Sequence, residues 1–187
     1  MLIDRTLYEG RPEDCAGRTA KEIRCYELLD SLGIPYFRVD HDHADTIEAC
    51  GDVEKILGCE ICKNLFLTNR QQTDFYLLLT PGRKPFKTKV LSKEIGTARL
   101  SFGSPEHMAQ FLDITPGSVS VLGLMNDRES RVRLLIDRDL THSEYLCCHP
   151  CINTSTLRIQ TADVLERLLP ALGRSPEYVD LPWEIED

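Results

Sequence analysis

Two apolar runs on either side of a polar stretch constrain the fold of this chain more than any other feature. The first run covers residues 65–67 and the second covers residues 75–80. Continuous apolar runs of this length are typical of strands that are buried on both faces. The polar residues 69–74 between them predict a turn. The sequence therefore predicts a buried β-hairpin, with the polar pair Lys63-Asn64 at the start of its first strand.

Helical and extended patterns follow one another irregularly along the rest of the chain. Thr19 is a suitable N-cap for the first helix, and Gly33 is suitable for its end. The predicted helices are 20–32, 46–57, 88–95, 105–113 and 161–172, and the predicted extended segments are 36–39, 118–124, 132–136, 144–147, 156–159 and 178–181. Because strands and helices mix without a strict βαβ alternation, we predict an α/β fold with a mixed, partly barrel-like β-sheet surrounded by helices.

The length of 187 residues suits one domain with a sizeable core. The first 17 residues contain Gly10, Pro12 and Gly17 and follow no periodic pattern. No internal repeat or low-complexity segment divides the remainder. We therefore predict an irregular lead-in at residues 1–17 and a single domain at residues 18–187.

Composition and charge argue against several classes of partner. No stretch approaches the roughly 20 apolar residues that a membrane-spanning helix needs. Residues 1–5 lack the basic and apolar regions of a signal peptide, so we expect a cytoplasmic protein. The net charge of −8 argues against broad binding to DNA or other nucleic acid, because such affinity comes mostly from neutralised phosphates.

One local run is basic within this acidic chain. Five cations lie within residues 83–93, namely Arg83, Lys84, Lys87, Lys89 and Lys93. Taken alone, a run of this kind is either a solvated face or a set of contacts to phosphates.

The eight cysteines are expected to be thiols, because the cytoplasm keeps cysteines reduced. Two pairs nevertheless have the spacing of metal ligands, Cys59-x-x-Cys62 and Cys148-x-x-Cys151, and His149 could replace a thiolate in a tetrahedral zinc site. However, 85 residues separate Cys62 from Cys148, far more than in a zinc ribbon. On a strand, Cys59 and Cys62 would also point to opposite faces. We favour buried or half-buried thiols without metal and keep zinc as the alternative.

Several common reaction types lack their usual motifs. The sequence contains no Gly-x-x-x-x-Gly-Lys-Ser/Thr loop, no Gly-x-Gly-x-x-Gly and no Gly-x-Ser-x-Gly, which argues against nucleotide hydrolysis, dinucleotide redox chemistry and serine esterase chemistry. Cys148 adjoins His149, but sequence neighbours on a strand face opposite ways, which disfavours a Cys–His nucleophile. His41, His43 and Asp45 cluster without a spacing that demands a metal, and we interpret them as a polar loop near a pocket entrance.

Three motifs occur in a specific order. They are Lys63-Asn64-Leu65-Phe66-Leu67, Leu122-Gly123-Leu124-Met125-Asn126-Asp127 and His149-Pro150-Cys151-Ile152-Asn153-Thr154. Together they resemble the YbaK/prolyl-tRNA-synthetase-associated editing domain family, over about residues 18–181. Within that family, the chain is most similar to the freestanding branch that deacylates tRNA mischarged with alanine in place of proline. The resemblance implies an ester hydrolase that edits in trans, without a metal or an organic cofactor.

The resemblance also assigns roles to residues of the first and third motifs. It implies that Lys63 holds the acceptor-end phosphate or orients the ester, and that Asn64 shapes the same pocket. It implies that His149 hydrogen-bonds the terminal ribose, whose own hydroxyl assists the attack on the ester. Asn153 and Thr154 are assigned to substrate binding, where they either orient His149 or end its strand.

A hydrolase of this kind needs donors for the carbonyl oxygen more than a nucleophile, since an aminoacyl ester is already activated. Backbone N–H groups can supply them, and a glycine lets the backbone approach a substrate closely. Gly123 is our candidate, with a crowded packing position in a strand as the alternative. The neighbouring Asn126 is assigned to substrate binding, although Asn126-Asp127 is most simply a turn.

The implied substrate changes the interpretation of the basic run. Beside a tRNA acceptor end, Arg83, Lys84, Lys87 and Lys89 are predicted to contact phosphates. The implied partners are the mischarged acceptor end and prolyl-tRNA synthetase, with neither DNA nor a membrane.

Substrate choice would follow from size. Alanine is smaller than proline, and missing methylenes change binding by only a few kcal/mol, so a synthetase pocket cannot fully exclude alanine. A second pocket that admits alanine and excludes proline would correct the error. The same motifs are also compatible with cysteinyl-tRNA(Pro) or another small residue as substrate, with a regulator that senses an amino acid or tRNA without catalysis, and with a zinc-stabilised interaction module.

Overall fold

The computed structural model of the chain describes residues 2–43 and 47–185, which form two β-sheets with helices packed around them. The strands are β1 (Tyr8–Glu9), β2 (Tyr36–Asp40), β3 (Lys63–Thr68), β4 (Phe75–Thr80), β5 (Ser101–Phe102), β6 (Val132–Asp137), β7 (Tyr145–Cys148), β8 (Ser155–Gln160) and β9 (Glu177–Val179). The helices are α1 (Ala20–Ser31), α2 (Ile47–Leu57), α3 (Thr88–Glu94), α4 (Pro105–Leu112), α5 (Thr161–Asp163) and α6 (Leu169–Ala171). Two 3₁₀ helices cover Val121–Asn126 and Arg138–His142, and the π-helical segment Val164–Leu168 joins α5 to α6. None of the helices within the described ranges is long and apolar enough to cross a membrane.

The two sheets differ in the direction of their strands. The four-stranded sheet has the order β1-β2-β8-β7 and is antiparallel throughout. The five-stranded sheet has the order β5-β3-β4-β6-β9, with antiparallel pairs up to β4 and parallel pairs from β4 onwards. A parallel bridge between Ile61 and Cys147 joins the segment before β3 to β7. The predicted α/β fold with a mixed sheet is confirmed, but the strands form two open sheets and do not close into a barrel.

The strand β4 is buried on both faces, as its apolar run predicts. Leu77 and Leu79 pack into the main core, which also receives side chains from α1, α4 and the four-stranded sheet. Tyr76 and Leu78 point the other way, into a second core that includes Leu91 of α3. This alternation follows from the two-residue period of a strand. A fully buried leucine contributes roughly 1.5–3 kcal/mol, so β4 and its neighbours supply much of the stability of the fold.

The starts of α1 and α4 and the central hairpin lie where the sequence predicts them, whereas the predicted helix start at Thr46 lies outside the described residues. The Thr19 side chain accepts a hydrogen bond from the Glu22 N–H and caps α1, and Ser104 caps α4 in the same way. In the hairpin, Lys63 lies opposite Thr80 and the register continues to the end of β3.

Two local predictions differ in detail from the structure. Residues 118–124 were predicted to be extended, but Val121–Asn126 is a 3₁₀ helix, because its apolar residues pack on one side into the main core. The lead-in at residues 1–17 is not wholly irregular, since β1 pairs with the edge of β2. The C-terminal segment returns as the edge strand β9, as predicted.

The cysteines differ from expectation in one respect. Cys59 and Cys147 form a disulfide, whereas the sequence predicts reduced thiols. They are 88 positions apart, and the Ile61–Cys147 bridge brings them together. Cys62 does not join Cys59, because its thiol donates to the Cys147 carbonyl. Within residues 2–43 and 47–185, no group of three or more His, Cys, Asp or Glu side chains is arranged to hold a metal ion.

Candidate active site

A small cavity lies where the two sheets meet. It has a volume of about 180 Å³ and is lined by Ile61, Cys62, Asn64, Gly117, Val119, Cys148 and His149. We call this the seam cavity. Its walls come from the start of β3, the loop before the first 3₁₀ helix and the end of β7. The Cys62 N–H donates to the Cys147 carbonyl at 3.2 Å, which places the first and third sequence motifs side by side.

The Asn64 side chain is held at both ends. Its amide nitrogen donates to the Cys62 carbonyl at 3.2 Å, and its Oδ1 accepts from the Val121 N–H at 3.0 Å. The second bond satisfies an N–H at the start of a helix that would otherwise lack a partner. Asn64 therefore forms part of the cavity wall and also anchors the 3₁₀ helix to β3.

Lys63 faces away from the seam cavity, because neighbouring residues of a strand point to opposite faces. Its side chain lies on the face of β3 that carries Leu65 and Leu67 towards α3. The Lys63 ammonium donates to the Lys84 carbonyl at 2.5 Å. Burial lowers the pKa of Lys63, and the charge of Glu60 partly opposes that shift. Lys63 and Asn64 thus do not share one pocket, contrary to the expectation from sequence.

His149 closes the turn between β7 and β8. Its Nδ1 lies 2.8 Å from the Ser155 carbonyl oxygen, which accepts only, so Nδ1 carries the proton. In the described part of the chain, the Nε2 atom has no hydrogen-bond partner. Burial lowers the pKa of His149, and the bond to the Ser155 carbonyl partly opposes this effect. A neutral imidazole with a bare Nε2 can accept a hydrogen bond or a proton at the cavity.

The two thiols that line the seam cavity are protonated. Burial raises the pKa of Cys62 to about 12, although the hydrogen bond from Asn64 works against the shift. Burial also raises the pKa of Cys148 well above its ordinary value, helped by the neighbouring Cys62. Since the thiolate and not the thiol is the nucleophile, these groups act here as small apolar surface. Cys–His covalent catalysis is therefore not supported.

Gly123 does not approach the cavity. Its N–H donates to the Ser120 carbonyl at 3.0 Å inside the 3₁₀ helix, so it is not available to a substrate. A Cβ atom at this position would overlap Ile114 Cδ1 and lie 3.2 Å from the Leu112 carbonyl oxygen. The assignment of Gly123 as an oxyanion donor is wrong, and the alternative of a crowded packing position describes it, in a helix instead of a strand.

Asn126 has a structural role at the end of α4. Its side-chain amide donates to the Leu112 carbonyl at 2.8 Å and so satisfies the C-terminal end of α4. Asn126 lines a separate shallow pocket with Phe111 and Arg131 and is not part of the seam cavity. Its assignment to substrate binding is therefore not supported, because α4 occupies its donor.

Sequence reasoning missed Gly117. Residues 115–118 form a turn in which the Ser118 N–H donates to the Thr115 carbonyl at 3.1 Å, and Gly117 has φ +86°. Pro116 followed by Gly117 is the signature of a type II turn, since only glycine adopts that φ without strain. The Pro-Gly dipeptide is the sequence signal from which this turn could have been predicted. The turn directs the backbone of Gly117, whose N–H has no partner within the described residues, to the wall of the cavity.

Asn153 and Thr154 line a second, more open cavity of about 460 Å³. The loop 115–119 separates the two cavities, since Ser118 faces the second one and Gly117 the first. The second cavity also contains Arg18, which pairs with Asp40 at 2.7 Å. His43 lies at its exposed edge, whereas Asp45 lies outside the described residues. The predicted His–Asn–Thr set is therefore divided between two neighbouring cavities.

The basic run is not one surface. Lys84 is buried, with 1% of its side chain exposed, and its ammonium contacts Asp137 and Asp139 at 2.9 Å each. The prediction that Lys84 contacts phosphates is wrong, because two carboxylates already neutralise it. Arg83 is exposed and pairs with Glu54 at 3.2 Å. Lys87 and Lys89 are exposed at the start of α3.

Comparisons with known proteins agree on one family. The model of the aminoacyl-tRNA editing domain matches residues 41–166. The chain is 31% identical over 153 residues to the prolyl-tRNA editing protein ProX of Acetoanaerobium sticklandii, covering 82% of this chain and 93% of that protein. It is 30% identical over 144 residues to the prolyl-tRNA synthetase associated domain-containing protein 1 of Danio rerio, covering 76% of this chain and 78% of that protein.

A solved structure extends the likeness to the fold. It belongs to a protein provisionally assigned as a trans-editing enzyme for prolyl-tRNA synthetase. The TM-score is 0.64 at 16% identity, with 88% of this chain and 99% of that chain covered. At this identity, the likeness concerns the fold alone.

Proposed function

Because the chain belongs to the aminoacyl-tRNA editing domain family, we propose that it is a deacylase that hydrolyses mischarged aminoacyl-tRNA in trans, with alanyl-tRNA(Pro) as its substrate. The observation that carries the choice of substrate is the seam cavity. It is the smaller of the two neighbouring cavities, at about 180 Å³, and its lining of neutral thiols and Val119 suits a small apolar side chain. Exclusion of proline is the second sieve that editing requires, and it is the part of the proposal that prolyl-tRNA(Pro) tests directly.

The reaction needs water, a base and a site for the carbonyl oxygen. Water attacks the ester carbonyl carbon, the bond to the ribose oxygen breaks, and free alanine and deacylated tRNA leave. We assign to His149 Nε2 the hydrogen bond from the attacking water or the adjacent ribose hydroxyl, because it is the bare nitrogen at the cavity. The backbone N–H of Gly117 replaces Gly123 as our candidate donor to the carbonyl oxygen.

Lys63 remains our candidate for the acceptor-end phosphate. Its ammonium lies at the mouth of β3, half-buried, and its hydrogen bond to a neutral carbonyl leaves its charge uncompensated by that partner. A phosphate would supply the missing counter-charge. From the exposed cations of the basic run, we assign Arg83, Lys87 and Lys89 to further tRNA contacts. Association with prolyl-tRNA synthetase and a cytoplasmic location complete the proposal.

A deacylation panel tests this function. The purified protein is incubated with alanyl-, cysteinyl-, seryl- and prolyl-tRNA(Pro), and loss of the aminoacyl group is followed over time. We expect rapid hydrolysis of alanyl-tRNA(Pro) and none of prolyl-tRNA(Pro). Exclusive hydrolysis of the cysteinyl species would reassign the substrate, and no hydrolysis of any species would favour a regulator without catalysis.

A further inference from the structure

A series of hydrogen bonds leads from His149 to Thr156 and His41, which do not line the seam cavity. The Thr156 hydroxyl lies 3.4 Å from His149 Nδ1 and 2.8 Å from His41 Nε2. His41 Nδ1 lies 2.7 Å from the Asp42 carbonyl oxygen. The two imidazole centroids are 6.1 Å apart. Thr156 therefore stands between two histidines and contacts both.

The direction of each bond follows from the groups at the two ends. The Asp42 carbonyl can only accept, so His41 carries its proton on Nδ1 and its Nε2 is an acceptor. The Thr156 hydroxyl must then donate to His41 Nε2. Its oxygen keeps lone pairs that accept a second, longer bond from His149 Nδ1, whose main acceptor is the Ser155 carbonyl. Each polar atom in this series of hydrogen bonds can thus be assigned consistently as a donor, as an acceptor or, for the Thr156 hydroxyl, as both.

Burial makes this arrangement costly to disturb. Thr156 is completely buried, and 7% of His41 is exposed. A buried donor or acceptor that loses its partner bears its full desolvation cost, so alternative orientations of the hydroxyl and the two rings are disfavoured. The backbone supports the same geometry, since the His41 N–H donates to the Thr154 carbonyl at 3.0 Å.

We propose that Thr156 and His41 are positioning residues that hold His149 in the tautomer with a proton on Nδ1 and a bare Nε2 at the seam cavity. The inference rests on the proposed function, because it assigns His149 Nε2 to the reaction. If the ring were free to turn or to place its proton on Nε2, it could no longer accept a proton from water or ribose. Neither positioning residue lines the seam cavity.

Kinetics of three variants test the role of the hydroxyl. Thr156→Val keeps the shape of the side chain and removes the hydroxyl, whereas Thr156→Ser keeps the hydroxyl. Thr161→Val is the matched control, since Thr161 is also buried and its hydroxyl has no hydrogen-bond partner among the residues that the structure describes. We expect Thr156→Val to lower kcat on alanyl-tRNA(Pro) by roughly 10- to 100-fold with little change in KM, by analogy with removal of the hydrogen-bond partner of a metal-binding histidine.

The serine variant separates positioning from packing. Thr156→Ser should recover most of the lost kcat, and Thr161→Val should behave as wild type. Wild-type kcat in Thr156→Val would overturn the proposal. Equal losses of kcat in Thr156→Ser and Thr156→Val would also overturn it, because they would indicate lost packing of the methyl group.

A measurement without substrate keeps this inference distinct from the proposed function. Nitrogen-15 chemical shifts of His149 report directly which ring nitrogen carries the proton. We expect the Nδ1–H form alone in the wild type, and a measurable fraction of the Nε2–H form in Thr156→Val and in His41→Phe. A wild type that gives the Nδ1–H spectrum but deacylates no tRNA would refute the function and keep the positioning. An unchanged tautomer in both folded variants would refute the positioning.

Discussion

Lys84 Nζ lies 2.9 Å from Asp137 Oδ2, and about 1% of each side chain is exposed. The same ammonium reaches Asp139 and lies over the ring of Trp183, whose indole N–H donates to Asp139. Thr80 adds a hydrogen bond to Asp137 at 2.9 Å. Lys84, the first lysine of the basic run, thus links β6 to the C-terminal segment from inside the protein, and Thr80 of β4 shares its partner Asp137.

Replacement of Lys84 should destabilise the fold. Lys84→Met leaves Asp137 buried without its cation, so we expect the free energy of unfolding to fall by about 3–5 kcal/mol. The exposed Lys89→Met is the control and should change it by less than about 0.5 kcal/mol. Urea unfolding of both variants measures the difference. A Lys84→Met protein of wild-type stability that binds tRNA more weakly would instead support a phosphate contact.

Gly123 and Gly51 should respond oppositely to alanine. A Cβ at Gly123 overlaps Ile114, so Gly123→Ala should cost about 1–3 kcal/mol of stability. Gly51 lies within α2 with nothing within 4 Å of a Cβ, so Gly51→Ala should stabilise by about 0.4–1 kcal/mol. Ile114→Val removes the overlapping methyl, and the double variant with Gly123→Ala should lose less than the sum of the two single losses. Additive losses in thermal or urea unfolding would mean that the overlap is relieved elsewhere.

Lys63→Ala should remove most of the deacylation with little change in melting temperature. The expected loss in kcat is on the order of 100-fold, as for removal of one donor from a preorganised site. If Lys63 binds the acceptor-end phosphate, the loss should appear with alanyl-tRNA(Pro) and be small with alanyl-adenosine, which lacks that phosphate. A similar loss with both substrates would assign Lys63 to the ester instead. Full activity at a matched melting temperature would end the assignment.

The deacylation rate should decrease in acid with a midpoint below the ordinary histidine pKa of about 6.5. Burial lowers the pKa of His149, so its neutral, proton-accepting form persists to lower pH and is lost as pH falls through the shifted pKa. The stability of the fold also decreases in this range, because burial lowers the pKa of both His149 and His41 and the unfolded chain therefore binds protons first as pH falls below about 6.5. Asp40 acts only at lower pH. Burial raises the pKa of Asp40, but hydrogen bonds from Arg18 and Arg38 outweigh this and leave it below its usual value. Its contribution to stability is present above the unfolded pKa and is lost only as pH falls through the lowered one.

The pH profile of kcat/KM, with circular dichroism at each pH, measures both effects. A midpoint at or above 6.5 with the fold intact would mean that His149 is not the titrating base.

Local patterns predicted the elements of this fold, and long-range contacts decided the roles of single residues. The β3–β4 hairpin and the Thr19 cap depend on neighbours in sequence and were predicted correctly. The burial of Lys84 depends on Asp137, 53 positions away, and its sequence neighbours gave no sign of that partner. The same reason explains why the disulfide of Cys59 was missed.

The candidate site was predicted in part for the same reason. Asn64 and His149 line one cavity because the Ile61–Cys147 bridge brings their strands together. A contact between such distant positions cannot be predicted from a local sequence pattern. Gly123 was misplaced because a short apolar run such as 121–124 lacks the length to distinguish a strand from a helical turn. Thr156 was overlooked because the sequence pattern of a strand does not show whether a threonine hydroxyl is buried and hydrogen-bonded.

The pairing of Lys63 with Thr80 fixes the register of the β3–β4 hairpin, and the candidate site depends on that register. A slip of β3 by one residue would exchange the two faces of the strand, turning the ammonium towards the cavity and the amide towards α3. The register of β3 alone therefore decides which of the two side chains, the charged Lys63 or the neutral Asn64, faces the cavity. A one-residue deletion or insertion between residues 59 and 62 should abolish activity more completely than any substitution there, even if the protein still folds.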